Sequence, residues 1–195
     1  MLVDDAFYRA FNRPNVHLED AGIERLNAGG AVMQDGSERA LDALIFATGF
    51  TIDQPLGGLE VIGRTGQSLV EVWADRPRAY MGMAVDGFPN LFMMIGPNAG
   101  LGHNSIIVMM EAELRYLAGA LEHIRATDTV LDLAPETMSK WLSEMDRRTD
   151  GTVWDSGCKS WYLNAEGQNF TLWPGSTLEY LWRTRRFDVA AYRQH

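Results

Sequence analysis

The chain has 195 residues, with 17 Lys and Arg against 26 Asp and Glu, giving a formal net charge of −9. That length suits one domain of ordinary size whose core needs no disulfide or metal staple. The acidic balance argues against nucleic-acid binding, which needs a cationic face to neutralise phosphate. A single cysteine, Cys158, leaves no internal disulfide framework and fits a reducing, cytoplasmic compartment.

The chain starts Met1-Leu2-Val3-Asp4-Asp5, without the basic and apolar regions of a secretory signal. The longest apolar run, 106–110, soon meets Glu111 and Glu113, so no membrane span is expected. Residues 16–46 read as short extended runs separated by Ala21-Gly22, Gly29-Gly30 and Asp35-Gly36, the pattern of a small β-meander. Its last run, 41–46, ends in Ala43-Leu44-Ile45-Phe46 and is expected to be a buried exit strand. Residues 51–90 form a loop-rich connection in which only 59–62 and 68–73 read as ordered pieces.

A second apolar run, 91–95, leads into Gly96-Pro97-Asn98-Ala99-Gly100-Leu101-Gly102-His103-Asn104, and then the clearest helix begins. Ile107, Met110, Leu114, Leu117, Leu121 and Ile124 recur at spacings of three and four, with Asn104 or Ser105 as N-cap. Strand, Gly-rich turn and helix is the expected order. The glycines do not fit a nucleotide-phosphate loop, yet the first helical turn, 104–108, carries no carboxylate. Its free N–H groups and positive dipole end can therefore serve an external electron-rich acceptor, or the turn can be a plain connector.

Pro135 opens a second helix with Met138, Trp141, Leu142 and Met145 on one face, and Pro174-Gly175 precedes a third over 177–183. The aromatic tail from Trp154 to Trp182 either caps the core or stacks on a planar ligand, and Arg183, Arg185 and Arg186 read as a solvated end. His103 has no metal-ligand partner at helical spacing, so no metal site is expected. The serines lie in no nucleophile-elbow frame, which leaves hydrolase chemistry without support. The methionines at 81, 83, 93, 94, 109 and 110 fill either a core or an adaptable pocket.

Four segments carry a family resemblance. Asp42 with Leu44-Ile45-Phe46-Ala47-Thr48-Gly49-Phe50 resembles the Ala-Thr-Gly-Phe signature of flavin-containing and Baeyer–Villiger monooxygenases. The stretch 7–16 resembles that family's approach to the meander, and 87–98 with 102–106 its flavin-facing turn. Ser160-Trp161-Tyr162, Asn169 and Trp173-Pro174-Gly175 are similar to its C-terminal closing segment.

The resemblance implies an α/β fold, part of a flavoprotein with two dinucleotide-binding domains. Residues 1–15 would be a linker from the nicotinamide-binding domain, 16–126 the C-terminal part of the FAD-binding domain, and 127–195 a helical, aromatic cap. It implies FAD and NADPH as cofactors. The implied reaction is oxygen insertion from O2 into a ketone through a flavin peroxide, or N- or S-oxygenation of a heteroatom substrate. Thr48, Gly49, Asn98, Asn104, Ser105, Ile106 and Trp161 are the implied cofactor-binding residues.

Neither G-x-G-x-x-G turn of the family occurs in the sequence, and the family's catalytic Arg falls upstream of the segment matching Leu2. The chain is therefore expected to be the C-terminal part of a larger enzyme, inactive alone and prone to self-association through exposed apolar surface. A non-catalytic docking module or inactive relic is the rival reading.

Overall fold

The computed structural model describes residues 4–48, 56–152, 162–164 and 166–195. The chain separates into two units, Met1–Phe50 and Thr51–His195.

In the first unit a single helical turn, α1 (Phe7–Ala10), precedes an antiparallel meander of β1 (Ile23–Asn27), β2 (Gly30–Met33) and β3 (Glu38–Ala40). The turn residues explain the meander. Asn27 Oδ1 accepts from the Gly29 amide at 2.9 Å, and Asp35 Oδ1 accepts from the Ser37 amide at 2.9 Å. Gly30 adopts φ 149°, where an added Cβ would stand 1.9 Å from the Arg39 carbonyl oxygen. The meander is thus as expected, but its exit is not. Residues 41–48 form no strand, and Ile45 and Phe46 are 87% and 73% exposed. Among the described residues the apolar run meets no partner strand: β3 ends at Ala40 and pairs with β2.

The second unit holds α2 (Leu69–Val72), α3 (Ile106–Thr127), α4 (Pro135–Thr149) and α5 (Thr177–Arg183). Two three-residue strands, β4 (Leu131–Leu133) and β5 (Tyr192–Gln194), pair antiparallel. One core gathers Met109, Ala112, Tyr116 and Ala120 of α3 with Met138, Trp141 and Met145 of α4, and with Trp173, Tyr180 and Tyr192. A smaller cluster joins Leu69, Trp73, Ala79, Val85 and Phe88. The α2 turn is nucleated by a capping box in which Ser68 and Glu71 exchange hydrogen bonds. The starts of α4 at Pro135 and α5 at Thr177 are as read from the sequence, and Met138, Trp141 and Met145 are buried as expected.

Three expectations are corrected here. Residues 91–95 form no strand, because Asn90 and Ile95 take φ of 55° and 53° and their amides diverge, one to the Leu131 carbonyl of β4 and the other to the Glu113 side chain of α3, so no ladder continues along the run. The apolar stripe of α3 is only partly buried: Ile107, Leu114 and Leu121 are 55%, 52% and 61% exposed, while Glu113 on the opposite flank is fully buried. Arg183 is not part of a solvated end, since its guanidinium is paired with Glu144 and Glu179. No helix among the described residues is long and apolar enough to cross a membrane.

Candidate functional site: the Gly-rich turn and the start of α3

The N-terminus of α3 is open. Ser105 is its N-cap residue but makes no side-chain cap bond, and the first turn contains no acidic residue. The amides of Ile106 and Ile107 find no acceptor among the described residues, and residues 103–107 are exposed. Unpaired N–H groups at the positive end of a 22-residue helix make a site for an electron-rich group. Asn104 helps to aim it: its Oδ1 accepts from the Ser105 amide at 2.7 Å and its Nδ2 donates to Thr177 Oγ1 at 3.2 Å.

The turn that delivers the chain to this point is clamped from the C-terminal segment. The Asn98 amide donates to the Phe170 carbonyl at 2.8 Å, and the Gly100 amide to the Thr171 carbonyl at 2.9 Å. The Trp173 amide returns a bond to the Gly100 carbonyl at 2.9 Å. Asn98 is fully buried at φ 58°, and its Nδ2 donates to the carbonyls of Asn169 and Leu172. Asn169, also buried, accepts from the Thr171 and Leu172 amides through Oδ1 and donates to Leu172 through Nδ2. Asn tolerates the left-handed region better than other residues with a Cβ, and its short amide reaches backbone groups nearby. That accounts for its place in this turn.

From the other side the turn is held by Glu113. Its Oε2 accepts from the Ile95 amide at 2.8 Å, and its Oε1 lies 2.8 Å from Tyr180 Oη, which is also 2.7 Å from the Met81 carbonyl oxygen. The Gly96 amide donates to the Gly82 carbonyl at 3.1 Å. Gly82 sits at φ 71°, and a Cβ there would lie 2.4 Å from Ala99 Cβ, so the two loops touch backbone to backbone. Burial pushes the Glu113 carboxyl up to about 7, against the opposing pull of the Ile95 and Tyr180 hydrogen bonds. Burial likewise raises the Tyr180 hydroxyl.

Of the aromatic tail, Trp173 and Tyr180 pack into the core, Trp182 is 65% exposed, and Trp154 and Trp161 lie outside the described residues. Trp173 stacks on Trp141 at 5.9 Å and an interplanar angle of 10°, and meets Tyr180 edge-on. Arg148 and Arg183 both lie 5.6 Å over the Trp173 ring and interlock with Glu144 and Glu179. Met81, Met83 and Met109 belong to the same core. The depression of about 440 Å³ along α4 is lined by Ser139, Lys140, Ser143, Glu144 and Arg147, none of them a residue of the turn.

Of the sequence-derived site residues, Asn98, Asn104, Ser105 and Ile106 come together in the turn and helix start. Thr48 is exposed near the end of the first unit, while Gly49 and Trp161 lie outside the described residues. Sequence reasoning missed Glu113 and the clamp by Asn169. The signal for Glu113 was a second helical stripe, Met109, Ala112, Tyr116 and Ala120, in which it stands as the one charged member.

No protein-family model matches the chain. It is 40% identical over 195 residues to a Baeyer–Villiger monooxygenase of Pseudomonas aeruginosa, covering 98% of this chain and 37% of that protein. A Baeyer–Villiger monooxygenase of Streptomyces coelicolor is 39% identical, with 99% and 38% covered. An FAD-binding monooxygenase of Aspergillus niger is 36% identical over 186 residues, with 92% and 30% covered. The chain thus spans less than two-fifths of the length of these relatives. Among solved structures, an oxidized steroid monooxygenase bound to NADP superposes with TM-score 0.76 at 31% identity, over 93% of this chain and 35% of that one. A closed cyclohexanone monooxygenase superposes with TM-score 0.79 at 25% identity, over 98% and 38%. The α/β fold is one that this chain shares with these monooxygenases.

Proposed function

Because almost all of the chain is homologous to part of the Baeyer–Villiger monooxygenases, we infer that it forms the flavin-facing, C-terminal part of such an enzyme. The whole enzyme would use FAD and NADPH to insert one oxygen atom of O2 into a small ketone. FAD, when bound, supplies the redox and oxygen chemistry, with NADPH as the source of hydride.

The observation that carries this reading is the start of α3. Two unpaired amides, no capping side chain and no carboxylate in the first turn fit the edge of a ring system that gains negative charge on reduction. The residues of this chain would therefore orient the ring and stabilise that charge through the backbone amides of Ile106 and Ile107, since the Ser105 amide is taken by Asn104. Asn98 and Asn104 act one step back, because their side chains are committed to shaping the turn. Thr48, Gly49 and Trp161 are further cofactor contacts on this reading.

The fit stops at the flavin edge. The sequence holds no G-x-G-x-x-G turn for a pyrophosphate, so the residues that grip the phosphates belong to the part of the relatives that this chain does not match. The exposed stripe of α3 then meets that part, and in its absence the chain self-associates.

A chimera tests the reading. Replacing the matching 37% of the Pseudomonas relative by this chain is expected to retain stoichiometric FAD and to oxidise NADPH in the presence of a ketone. Ile107→Asp, at an exposed position of the first helical turn, should lower the flavin reduction potential of that chimera. A chimera that folds without flavin, or a potential indifferent to the new carboxylate, overturns the assignment. The isolated chain is expected to hold little or no FAD and to turn nothing over.

A further inference from the structure

Tyr180 carries one hydroxyl proton and faces two acceptors, the Met81 carbonyl at 2.7 Å and Glu113 Oε1 at 2.8 Å. If Glu113 is ionised, that single proton satisfies only one of them. Either the Met81 carbonyl is left without a donor, or a carboxylate oxygen presses against the phenol oxygen with no hydrogen between, inside a core where both residues have 0% exposure. A protonated Glu113 removes the conflict. Its Oε1–H donates to Tyr180 Oη, the Tyr180 hydroxyl donates to Met81, and Oε2 still accepts from the Ile95 amide at 2.8 Å. One unbroken chain of bonds then ties α3 and α5 to two loops.

No described cation is paired with Glu113, so nothing in the fold compensates a negative charge there. From α5 the group that faces it is Tyr180; Glu179 and Arg183 on the same helix are taken up with Arg148 and Glu144. On α3 its charged neighbours Glu111 and Arg115 are exposed, and on the segment that carries Met81 the titratable residues are Tyr80, which is buried, and Arg78 and Asp86, which are paired with each other. The loops it joins are ones that need holding. Met81, Gly82 and Ile95 take φ of 50°, 71° and 53°, and Gly96 then opens the turn 96–104. Non-glycine residues persist in that region only when their surroundings fix them.

We propose that Glu113 is kept as a neutral carboxylic acid that donates to Tyr180, and that release of this proton to solvent unlatches Met81: the Tyr180 hydroxyl turns to the new carboxylate, and the Met81 carbonyl, beside the entrance to the Gly-rich turn, loses its donor while Ile95 keeps its bond. Glu113 is a positioning residue in this role. The latch belongs to the described residues alone and stands whether or not the turn faces a flavin.

The test is an NMR titration of the 195-residue chain with 13C-labelled glutamate side chains and methionine carbonyls, following Glu113 Cδ together with the carbonyl carbon of Met81. Glu113 is expected to titrate near pH 7, and the Met81 carbonyl to move upfield across the same midpoint, as a carbonyl that loses its donor does. Glu113→Gln freezes the latched state, because its amide N–H donates to Tyr180 while its oxygen accepts from Ile95; its Met81 carbonyl should stay in place throughout. A Glu113 midpoint at the ordinary value of 4.5, or a Met81 carbonyl that ignores the titration, overturns the proposal. The wild-type titration decides the matter even if the glutamine variant does not fold.

Discussion

Glu113 enters the core between Met109, Ala112 and Tyr116, and its carboxyl moves from 4.5 to about 7 chiefly because the charged form loses water. Between those two values the folded chain binds a proton that the unfolded chain does not, so stability falls as pH rises. The contribution is complete below pH 4.5 and gone once pH has passed about 7, a difference of about 3 kcal/mol for this one group. Urea denaturation of wild type and Glu113→Gln at pH values on either side of that window should show the slope in the first and its loss in the second. Asn98 poses a different residue-scale problem. Asn98→Ala removes both donors to the Asn169 and Leu172 carbonyls and leaves a Cβ residue at φ 58° with no side-chain amide to settle it. A loss of about 2–3 kcal/mol in denaturant unfolding is expected.

At the scale of elements, α4 and α5 are joined by four charges over one indole. Arg148 grips Glu179 through both terminal nitrogens, at 2.9 and 2.6 Å, and reaches Glu144 through Nε. Arg183 grips the same two carboxylates from the other side. These hydrogen bonds hold Glu144 and Glu179 below the usual carboxylate range. Their contribution is therefore present at neutral pH and is lost as pH falls below 4.5, the opposite sense to Glu113. Because the side chains are a quarter to a third exposed, solvent screens the pairs, and Arg148→Met should cost only about 1 kcal/mol, read as a small drop in melting temperature. Helices α3, α4 and α5 were legible because each carries a local signal: an apolar repeat, Pro135 at a first turn, and Pro174-Gly175 just ahead of Thr177. What was not legible depends on partners remote in sequence. The strands β4 and β5 are three residues each and exist only through a pairing of Leu131 with Gln194. The run 91–95 looked like a strand, but its amides at Met93 and Ile95 go to the Met83 carbonyl and to Glu113, so no ladder forms. The site divides in the same way. Ser105 and the absence of a first-turn carboxylate can be read in sequence order, whereas the clamp of Asn98 by residues 169–172 spans more than seventy positions.

For the whole molecule, the net charge of −9 and the exposed apolar surface act against each other. Ile107, Leu114 and Leu121 fall at intervals of seven along α3 and so lie on one face, each more than half exposed. A row of this kind on a helix that already buries its other flank is a contact surface, and two copies of the chain can bury it against each other. Like charge on the two copies opposes that approach, because like-signed fields repel over a distance set by the Debye length of about 8 Å at physiological ionic strength. Salt shrinks that distance to about 3 Å at 1 M while leaving apolar burial intact or stronger. The isolated chain should therefore pass from monomer towards dimer or larger species as salt is raised, the reverse of an assembly held by ion pairs. Sedimentation velocity across a salt series reads this directly. Leu114→Glu with Leu121→Glu adds charge and removes the apolar row at positions that contribute no core contact, so the double variant should stay monomeric at every salt concentration and keep the wild-type melting temperature. Association that weakens with salt, or that survives the double variant unchanged, would place the contact elsewhere on the molecule.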